Sequence, residues 1–498
     1  MNEILKDRSH SIWEDVVLPE FPTMKENSST QVCVVGGGIA GVSTAYQLGK
    51  RGFKVILLEA SRIASGQTGR TTAHLTSKPE ELLADMLKQH SKDHVHAFIE
   101  SHKKAIDEIE EIIFQENISC DFKRVPGYLF LGDHNSEKDL EQEASLAQEM
   151  GLEAEFVEKI PAFPQFGAAV RYDNQAQFNP TKYIQGLLRA LKELDVEVYE
   201  NSHVKEFATH KNLHKIICDE DASVEAKYLV VATDSPVNNR YLIHTKQSAY
   251  RTYVVGFHLK EKMDVPLMWD TSDPYHYIRV SGETLIVGGE DHRTGQNPEN
   301  DPYKEIVAWV EENLSIAGTP VWAWSGQVFE SLDGIAYIGK NPGMDKNVFI
   351  VTGQSGIGMT SGTIASLIIP DLIEEKPNYM SKIFDPARSF MHNPKEFIKE
   401  NANTAFQYKD WITSSEVKKL EEIPEDHGSI VRDGVVKNCV YHAKGDEFET
   451  KSAVCPHLGG IVKWNDIEKT WDCPCHGSRF NVHGKVIEGP SLNGLAEI

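Results

Sequence analysis

Two short segments near the end of the chain have the residue types and the spacing of a metal centre. The first pairs Cys455 with His457, and fifteen residues later the second pairs Cys473 with His476. Two thiolates and two imidazoles suit a [2Fe-2S] centre in which a cysteine pair binds one iron and a histidine pair binds the other. A tetrahedral zinc site uses the same residue types, but the C-x-H pairing and the glycine-rich turns beside each pair are not zinc-finger spacing. The spacing therefore predicts a [2Fe-2S] centre, with zinc as the alternative.

A second chemical pattern lies near the start of the chain. Gly36, Gly38 and Gly41 form a G-x-G-x-x-G sequence between a predicted strand and a predicted helix, and Glu59 ends the next predicted strand, 18 positions after Gly41. In this context the glycines allow a tight turn, a close approach to a pyrophosphate, and close helix–strand packing. The helix N-terminus favours the phosphates, and Glu59 would accept a hydrogen bond from a ribose. The pattern predicts a dinucleotide site, and a glycine turn without a ligand is the alternative.

The number of dinucleotide sites in the chain indicates which dinucleotide binds. The chain has one strand–glycine–helix unit, whereas flavoenzymes that are reduced by NAD(P)H commonly have two. One site fits FAD that is reduced directly by an organic substrate. A further glycine-rich stretch, with Gly353, Gly356 and Gly358, lies between a predicted strand at 347–352 and a predicted helix at 363–373. Its N–H groups suit the anionic edge of a reduced flavin, and an ordinary strand-to-helix turn is the alternative.

The elements around these residues predict a mixed α/β chain with a small all-β domain at its end. Residues 196–204 and 226–233 are predicted as strands, and residues 240–330 alternate in short runs that indicate an antiparallel sheet. We divide the chain into a leader at 1–30, nucleotide-binding parts at about 31–80, 180–235 and 330–380, substrate or cap parts at about 81–179 and 236–329, a linker at 381–425, and a β-domain at 426–498.

Composition and charge exclude several classes of protein. The 498 residues carry 51 Lys plus Arg against 74 Asp plus Glu, a formal charge of −23. Such a surface repels nucleic acid and anionic lipid. The start of the chain lacks the pattern of a signal peptide, and no apolar run is long enough to span a membrane. Seven cysteines, four of them scattered singly, argue against a disulfide framework. We therefore expect a cytoplasmic protein without membrane insertion or a nucleic-acid partner.

Over about residues 31–375 the chain resembles the FAD-dependent oxidoreductases of the D-amino-acid oxidase, glycine oxidase and sarcosine oxidase type. The matching segments are VVGGGIAGVSTAYQLGKRGFKVILLEA, GQTGRTTAHL, YLVVATDS, YIRVSGETLIVGG, LDGIAYIG and VTGQSGIGM. The resemblance implies a Rossmann-type FAD-binding domain with an α+β substrate domain. It also implies further FAD contacts, which are Arg62, Thr68, Arg70, Thr71 and Thr72 along the adenosine and flavin and Val204 at the adenine. The chain departs from the usual pattern at Asp234, where a glycine is common.

The same resemblance directs attention to the wall of the substrate pocket. Tyr277 and Arg279 belong to the matching segment that would form this wall. The arginine would clamp a substrate carboxylate with two hydrogen bonds. A surface strand pair without a catalytic role is the alternative.

The end of the chain resembles a Rieske domain. The resemblance implies that Cys455 and Cys473 bind one iron and that His457 and His476 bind the other. High-potential members have a disulfide between two positions that are Gly460 and Cys475 here, so this disulfide cannot form. Ser478 keeps the hydroxyl that donates to the cluster, whereas Phe480 stands where those members have a tyrosine. Fewer hydrogen bonds to the sulfurs stabilise the reduced cluster less.

These observations together predict an oxidoreductase with two cofactors, FAD and a [2Fe-2S] cluster. The expected reaction is oxidation of an amine or amino acid by hydride transfer to the flavin, followed by single-electron transfer to the cluster. An acceptor protein or dioxygen would take the electrons. One alternative is a redox sensor or electron-transfer module without a dedicated substrate, and another is electron flow from a partner through the cluster to FAD.

Overall fold

The structure is a computed structural model that describes residues 10–210, 213–237, 243–343, 347–388, 402–404, 406–417, 419–445 and 447–498. Its helices are α1 (Ile39–Lys50), α2 (Leu83–Gln89), α3 (Lys92–Gln115), α4 (Glu137–Glu149), α5 (Pro180–Glu193), α6 (Pro302–Asn313) and α7 (Gly358–Ile373).

Its strands are β1 (Ser28–Val35), β2 (Val55–Leu58), β3 (His74–Leu75), β4 (Lys123–Phe130), β5 (Ala154–Val157), β6 (Ala169–Gln177), β7 (Glu197–Tyr199), β8 (Val204–His210), β9 (Leu213–Cys218), β10 (Ser223–Val231), β11 (Gln247–Leu259), β12 (Leu267–Asp270), β13 (Tyr277–Ser281), β14 (Thr284–Arg293), β15 (Ala317–Ser331), β16 (Tyr337–Lys340), β17 (Val348–Thr352), β18 (His427–Asp433), β19 (Val436–Ala443), β20 (Glu447–Ser452), β21 (Lys463–Asn465), β22 (Thr470–Asp472), β23 (Arg479–Phe480) and β24 (Val486–Glu488).

The first sheet carries the glycine turn. Its order is β16-β17-β10-β1-β2-β7, with β9 and β8 added beside β10. The strands from β17 to β7 run parallel, and Val32 to Val35 in β1 are buried on both faces, as central parallel strands are. Helix α1 packs against α5 and α7, and both α1 and α7 contact strands of this sheet. The carboxyl ends of β1, β2, β10 and β17 therefore meet at one edge, where a nucleotide site belongs.

The second sheet forms the neighbouring layer. Its order is β15-β11-β14-β13-β12-β4-β6-β3, with β5 beside β6, and its pairs are antiparallel except for β12 with β4. Helix α6 packs on β11 and β14. The predicted α/β fold class, with an α+β second part, is confirmed.

The end of the chain folds into two small antiparallel sheets. One has the order β18-β19-β20 and the other β21-β22-β23-β24. Residues of the predicted linker join this region, because Tyr408 donates to the carbonyl of Leu458 at 2.7 Å and Trp411 donates to that of Gly459 at 2.9 Å. The all-β prediction for this part of the chain is confirmed.

The N-terminal segment packs against the first domain. Trp13 is buried and its indole donates to the carbonyl of Thr71 at 2.6 Å, while the Ser11 hydroxyl donates to Gly69. The described end of the predicted leader thus supports the loop that follows β2. Among the described residues, no helix is both long enough and apolar enough to cross a membrane.

Candidate functional site

The glycine turn after β1 is built for close approach. Gly36 has a φ of +112°, and a Cβ there would lie 2.2 Å from the carbonyl oxygen of Ala232. A Cβ on Gly41 would lie 1.9 Å from the carbonyl oxygen of Gly36. Side chains at either position would push α1 away from the sheet. Gly36 and Gly38 line a cavity of about 2080 Å³, which is large enough for a dinucleotide and a substrate.

Glu59 lies at the end of β2 and lines the same cavity. Its Oε2 accepts from the N–H of Gly37 at 2.7 Å, and its Oε1 accepts from the N–H of Ser61 at 2.8 Å. Burial raises the pKa of the carboxyl, and the two backbone hydrogen bonds oppose that shift. A carboxylate has about four acceptor sites, so Glu59 can hold the glycine turn and still accept a hydrogen bond from a ribose. This arrangement fits FAD.

Most of the other predicted FAD residues reach the cavity. Those that line it are Thr68, Arg70, Thr71, Thr72, Val204, Gly356 and Gly358. Thr68 also caps α1, because its hydroxyl accepts from the N–H of Ile39 at 2.9 Å. Asp234 lines the cavity as well, with a φ of +62° that aspartate tolerates better than most residues.

Three predicted FAD residues do not line the cavity. Arg62 is 43% exposed and pairs with Glu20 and Glu200 at 2.9 and 3.2 Å. Gly41 serves the helix–strand contact described above, and Gly353 faces Tyr337, with 2.9 Å from a built Cβ to its ring. The structure therefore gives Gly41 and Gly353 a packing role and places Arg62 in ion pairs.

Arg279 also lies outside the cavity lining. Its side chain is buried, and Nη1 donates to the carbonyls of Thr72 and Ala73 at 2.9 and 2.7 Å. The guanidinium stands 5.5 Å from the Trp13 ring, and burial lowers its pKa to about 9. Arg279 thus holds the segment that carries Thr71 and Thr72, and the geometry does not offer it to a substrate carboxylate.

Tyr277 does line the cavity, together with residues that sequence reasoning missed. Its hydroxyl pairs with that of Thr252, and the neighbouring Tyr275 donates to the Glu80 carboxylate. A Cβ on Gly356 would lie 2.2 Å from Oε2 of Glu80, so this carboxyl sits on the glycine turn before α7. Burial raises the pKa of Glu80 to about 7. These polar groups and Trp269 all line the cavity.

The predicted cluster ligands come together in the C-terminal domain. The rings of His457 and His476 lie 5.1 Å apart and perpendicular, and the thiols of Cys455 and Cys473 interact directly. Burial lowers the pKa of His476 to about 4, so its imidazole is neutral, the form that binds metal. A Cβ on Gly460 would lie 2.6 Å from Sγ of Cys475 and 3.2 Å from Sγ of Cys473, so the backbone of Gly460 lies close to both thiols. The four residues fit a [2Fe-2S] cluster.

The hydroxyl of Ser478 hydrogen-bonds to Cys455 and accepts from the N–H of Ser491 at 3.0 Å. Phe480 is fully buried in the same apolar cluster as the cysteines. Tyr408 lies close to the cysteines too, but its hydroxyl donates to the carbonyl of Leu458. Ser478 can therefore donate a hydrogen bond to the cluster, whereas Phe480 supplies no hydroxyl.

The histidine pair faces the flavin-type domain. The ring of His244 is buried and lies 4.7 Å from that of His457 and 5.9 Å from that of His476. Gln327 lines the large cavity and donates to the carbonyl of Gly477 at 3.0 Å. Sequence reasoning missed His244, because no motif around it distinguishes it from a core histidine.

Comparisons with known proteins agree with both parts of this site. The family model "FAD dependent oxidoreductase" matches residues 31–372, and the model "Rieske [2Fe-2S] domain" matches residues 413–498. The Bacillus subtilis (strain 168) protein YhfW, whose name describes a Rieske 2Fe-2S iron-sulfur protein, is 29% identical over 99% of this chain and 98% of its own length. Gamma-glutamylputrescine oxidoreductase of Escherichia coli (strain K12) is 23% identical over 75% of this chain and 89% of its own.

Solved structures show the same fold. Glycine oxidase from Geobacillus kaustophilus aligns with a TM-score of 0.62 and 16% identity, covering 73% of this chain and 100% of its own. The first family binds FAD and the second domain binds a [2Fe-2S] cluster. The chain therefore belongs to the FAD-dependent oxidoreductases and carries a Rieske [2Fe-2S] domain over residues 413–498.

Proposed function

We propose that this protein oxidises an amine or amino acid and passes the electrons singly from FAD to the Rieske cluster, and from there to an acceptor protein. FAD supplies the acceptor for a hydride, and the cluster supplies a one-electron carrier. The name of the E. coli relative, an oxidoreductase of an amine, supports the substrate class. The remaining support comes from what this chain's own residues offer on either side of the cavity.

The residues around Tyr277 suit a positively charged substrate. An amine at neutral pH is mostly an ammonium ion, and a hydride leaves its carbon only after the nitrogen has lost a proton. The carboxyl of Glu80, with a pKa near 7, can accept that proton. The hydroxyls of Tyr275 and Tyr277 orient the neighbouring groups, and Trp269 helps to exclude water. The product is a protonated imine, because one proton leaves the nitrogen and the hydride carries away two electrons from the carbon.

The observation that carries the electron path is the orientation of the Rieske domain. Its histidine pair packs on His244 of the flavin domain rather than facing solvent. The backbone continues from His244 to Gln247, whose side-chain oxygen accepts from Thr352 at 2.9 Å at the start of the Gly353–Gly358 turn. A short stretch of packed protein therefore joins the cluster ligands to the glycine turn before α7.

Anaerobic stopped-flow mixing with a panel of amines and amino acids tests this proposal. We expect one class of substrate to bleach the flavin first, and the cluster to become reduced afterwards, seen as a Rieske EPR signal. Flavin bleaching without cluster reduction would contradict the electron path. No bleaching by any compound would favour a redox module, and cluster reduction by a partner before the flavin would favour inward flow.

Glu59→Ala is expected to weaken FAD binding by about 1 to 3 kcal/mol, or roughly 5- to 150-fold, because a hydrogen bond to a charged group is lost. The substitution also frees the N–H of Gly37. FAD affinity is measured by flavin fluorescence during titration of stripped protein. Glu158→Ala, at an acidic residue away from the cavity lining, is the control. An unchanged affinity in Glu59→Ala would show that Glu59 does not contact the ribose.

A further inference from the structure

The cavity that holds the glycine turn is not closed by the flavin domain alone. A segment of the Rieske domain, Val486 to Leu492, also contributes to its lining. We call this segment the inner wall. Within it, Ile487 is 43% exposed and lines the cavity, so it offers apolar surface to a ligand bound there.

The inner wall contacts residues of the flavin domain. Glu488 accepts from the Gln67 amide at 3.1 Å, and Gln67 begins the loop that carries Thr68 to Thr72. A Cβ on Gly489 would lie 3.5 Å from Val237, just beyond the end of β10. Both partners line the cavity themselves, and Gln67 directly precedes Thr68, which was predicted to contact FAD. The wall therefore stands where FAD, rather than the substrate, is covered.

The inner wall is also joined to the cluster. The N–H of Ser491 donates to Oγ of Ser478 at 3.0 Å, and the Ser478 hydroxyl in turn hydrogen-bonds to Cys455. Ser478 and Ser491 are both buried. One short chain of hydrogen bonds thus runs from the cavity lining to a cluster ligand.

We infer that the Rieske domain is a structural part of the FAD site, with the inner wall covering the dinucleotide and Ser491 tying that wall to the cluster. The inference needs only that the chain binds both cofactors, so it is independent of the proposed substrate and of the direction of electron flow. It also implies reciprocity, because a coupling between two sites acts equally in both directions.

The first test compares Ile487→Ala with Val436→Ala, a matched change at an apolar residue of the Rieske domain that is 48% exposed and lies outside the cavity lining. We expect Ile487→Ala to weaken FAD binding about 3- to 10-fold, since apolar surface covered by FAD is lost. Val436→Ala should leave it unchanged. Iron content and the EPR spectrum should match wild type in both variants. Equal FAD affinity in both variants, or FAD loss only in proportion to iron loss, would overturn the inference.

The second test measures the cluster potential in wild-type protein with FAD bound and after FAD has been stripped. We expect FAD to lower the potential, because its phosphates add negative charge near a cluster that gains an electron. For each 59 mV by which FAD lowers the cluster potential, FAD should bind tenfold more weakly to protein with a reduced cluster than to protein with an oxidised cluster. An identical potential in both samples, together with an FAD affinity that ignores the cluster's oxidation state, would show that the wall and the cluster are not coupled.

Discussion

Replacing Arg251 with alanine is expected to loosen the Rieske domain from the flavin domain by about 3 to 5 kcal/mol. Arg251 lies in β11 and is fully buried. It donates to Glu468 at 2.7 and 3.0 Å and to Glu488 at 3.2 Å, both in the Rieske domain. Arg479 pairs with the same two carboxylates. Without Arg251, one arginine must balance two buried acids and Asp472 as well.

Hydrogen exchange of the amides in β21 to β24 measures this opening in the intact protein, since local opening sets the exchange rate. Arg171→Ala is the control, because Arg171 also pairs with two carboxylates but is 37% exposed. We expect the control to cost no more than about 1 kcal/mol. If Arg251→Ala exchanges like the control, the ion pairs do not hold the domains together.

The same network predicts how docking depends on pH. Burial alone would raise the pKa of both acids, but the charges of Arg479 and Arg251 outweigh it and hold the pKa of Glu488 at about 2 and that of Glu468 well below its usual range. A depressed carboxyl pKa stabilises the folded form above the unfolded pKa. The contribution is therefore complete above about pH 5 and is lost as the pH falls toward 2. Arg251→Ala should show a weaker dependence over this window.

The features of the fold and of the site that could be predicted from the sequence are those formed by residues close together in the chain. The glycine turn, Glu59 and the two ligand segments were predictable because each motif is contiguous and its chemistry needs a fixed spacing. The run 196–204 was predicted as one strand, yet the chain turns at Asn201, whose φ is +49°, and forms β7 and β8 instead. Helix α7 begins at Gly358, five residues before the predicted start, because the glycine turn itself leads into it.

Features that join distant parts of the chain were not predictable in this way. Arg251 and Glu468 are separated by 217 positions, and nothing in either local sequence marks the other as its partner. The inner wall was missed for the same reason, since each domain resembles its own family and neither resemblance describes where the two meet. Arg279 shows the converse, because an arginine near a predicted pocket wall has the right chemistry but points its donors at backbone carbonyls.

The reduction potential of the cluster is expected to lie near or below about +75 mV, in the lower half of the Rieske range of about −150 to +300 mV. High potentials require groups that stabilise the reduced, more negative cluster. Phe480 has no hydroxyl, and the hydroxyl of Tyr408 is donated to Leu458 instead of to a sulfur. Redox titration followed by EPR gives the value directly. A potential above about +200 mV would contradict the argument that the missing donors matter.

Two substitutions separate the causes of a low potential. Phe480→Tyr should raise the cluster potential by roughly 45 to 90 mV if the new hydroxyl donates about 1 to 2 kcal/mol more strongly to the reduced cluster.

Gly460→Cys should form a disulfide with Cys475. A Cβ on Gly460 would lie only 2.6 Å from Sγ of Cys475, so a small shift brings the two sulfurs to bonding distance. Thiol counting shows whether the bond has formed. A low potential lets the cluster accept electrons from a flavin with little loss of driving force. A variant with a higher cluster potential should be reduced more completely by the flavin. The same variant should deliver its electrons to an acceptor less readily.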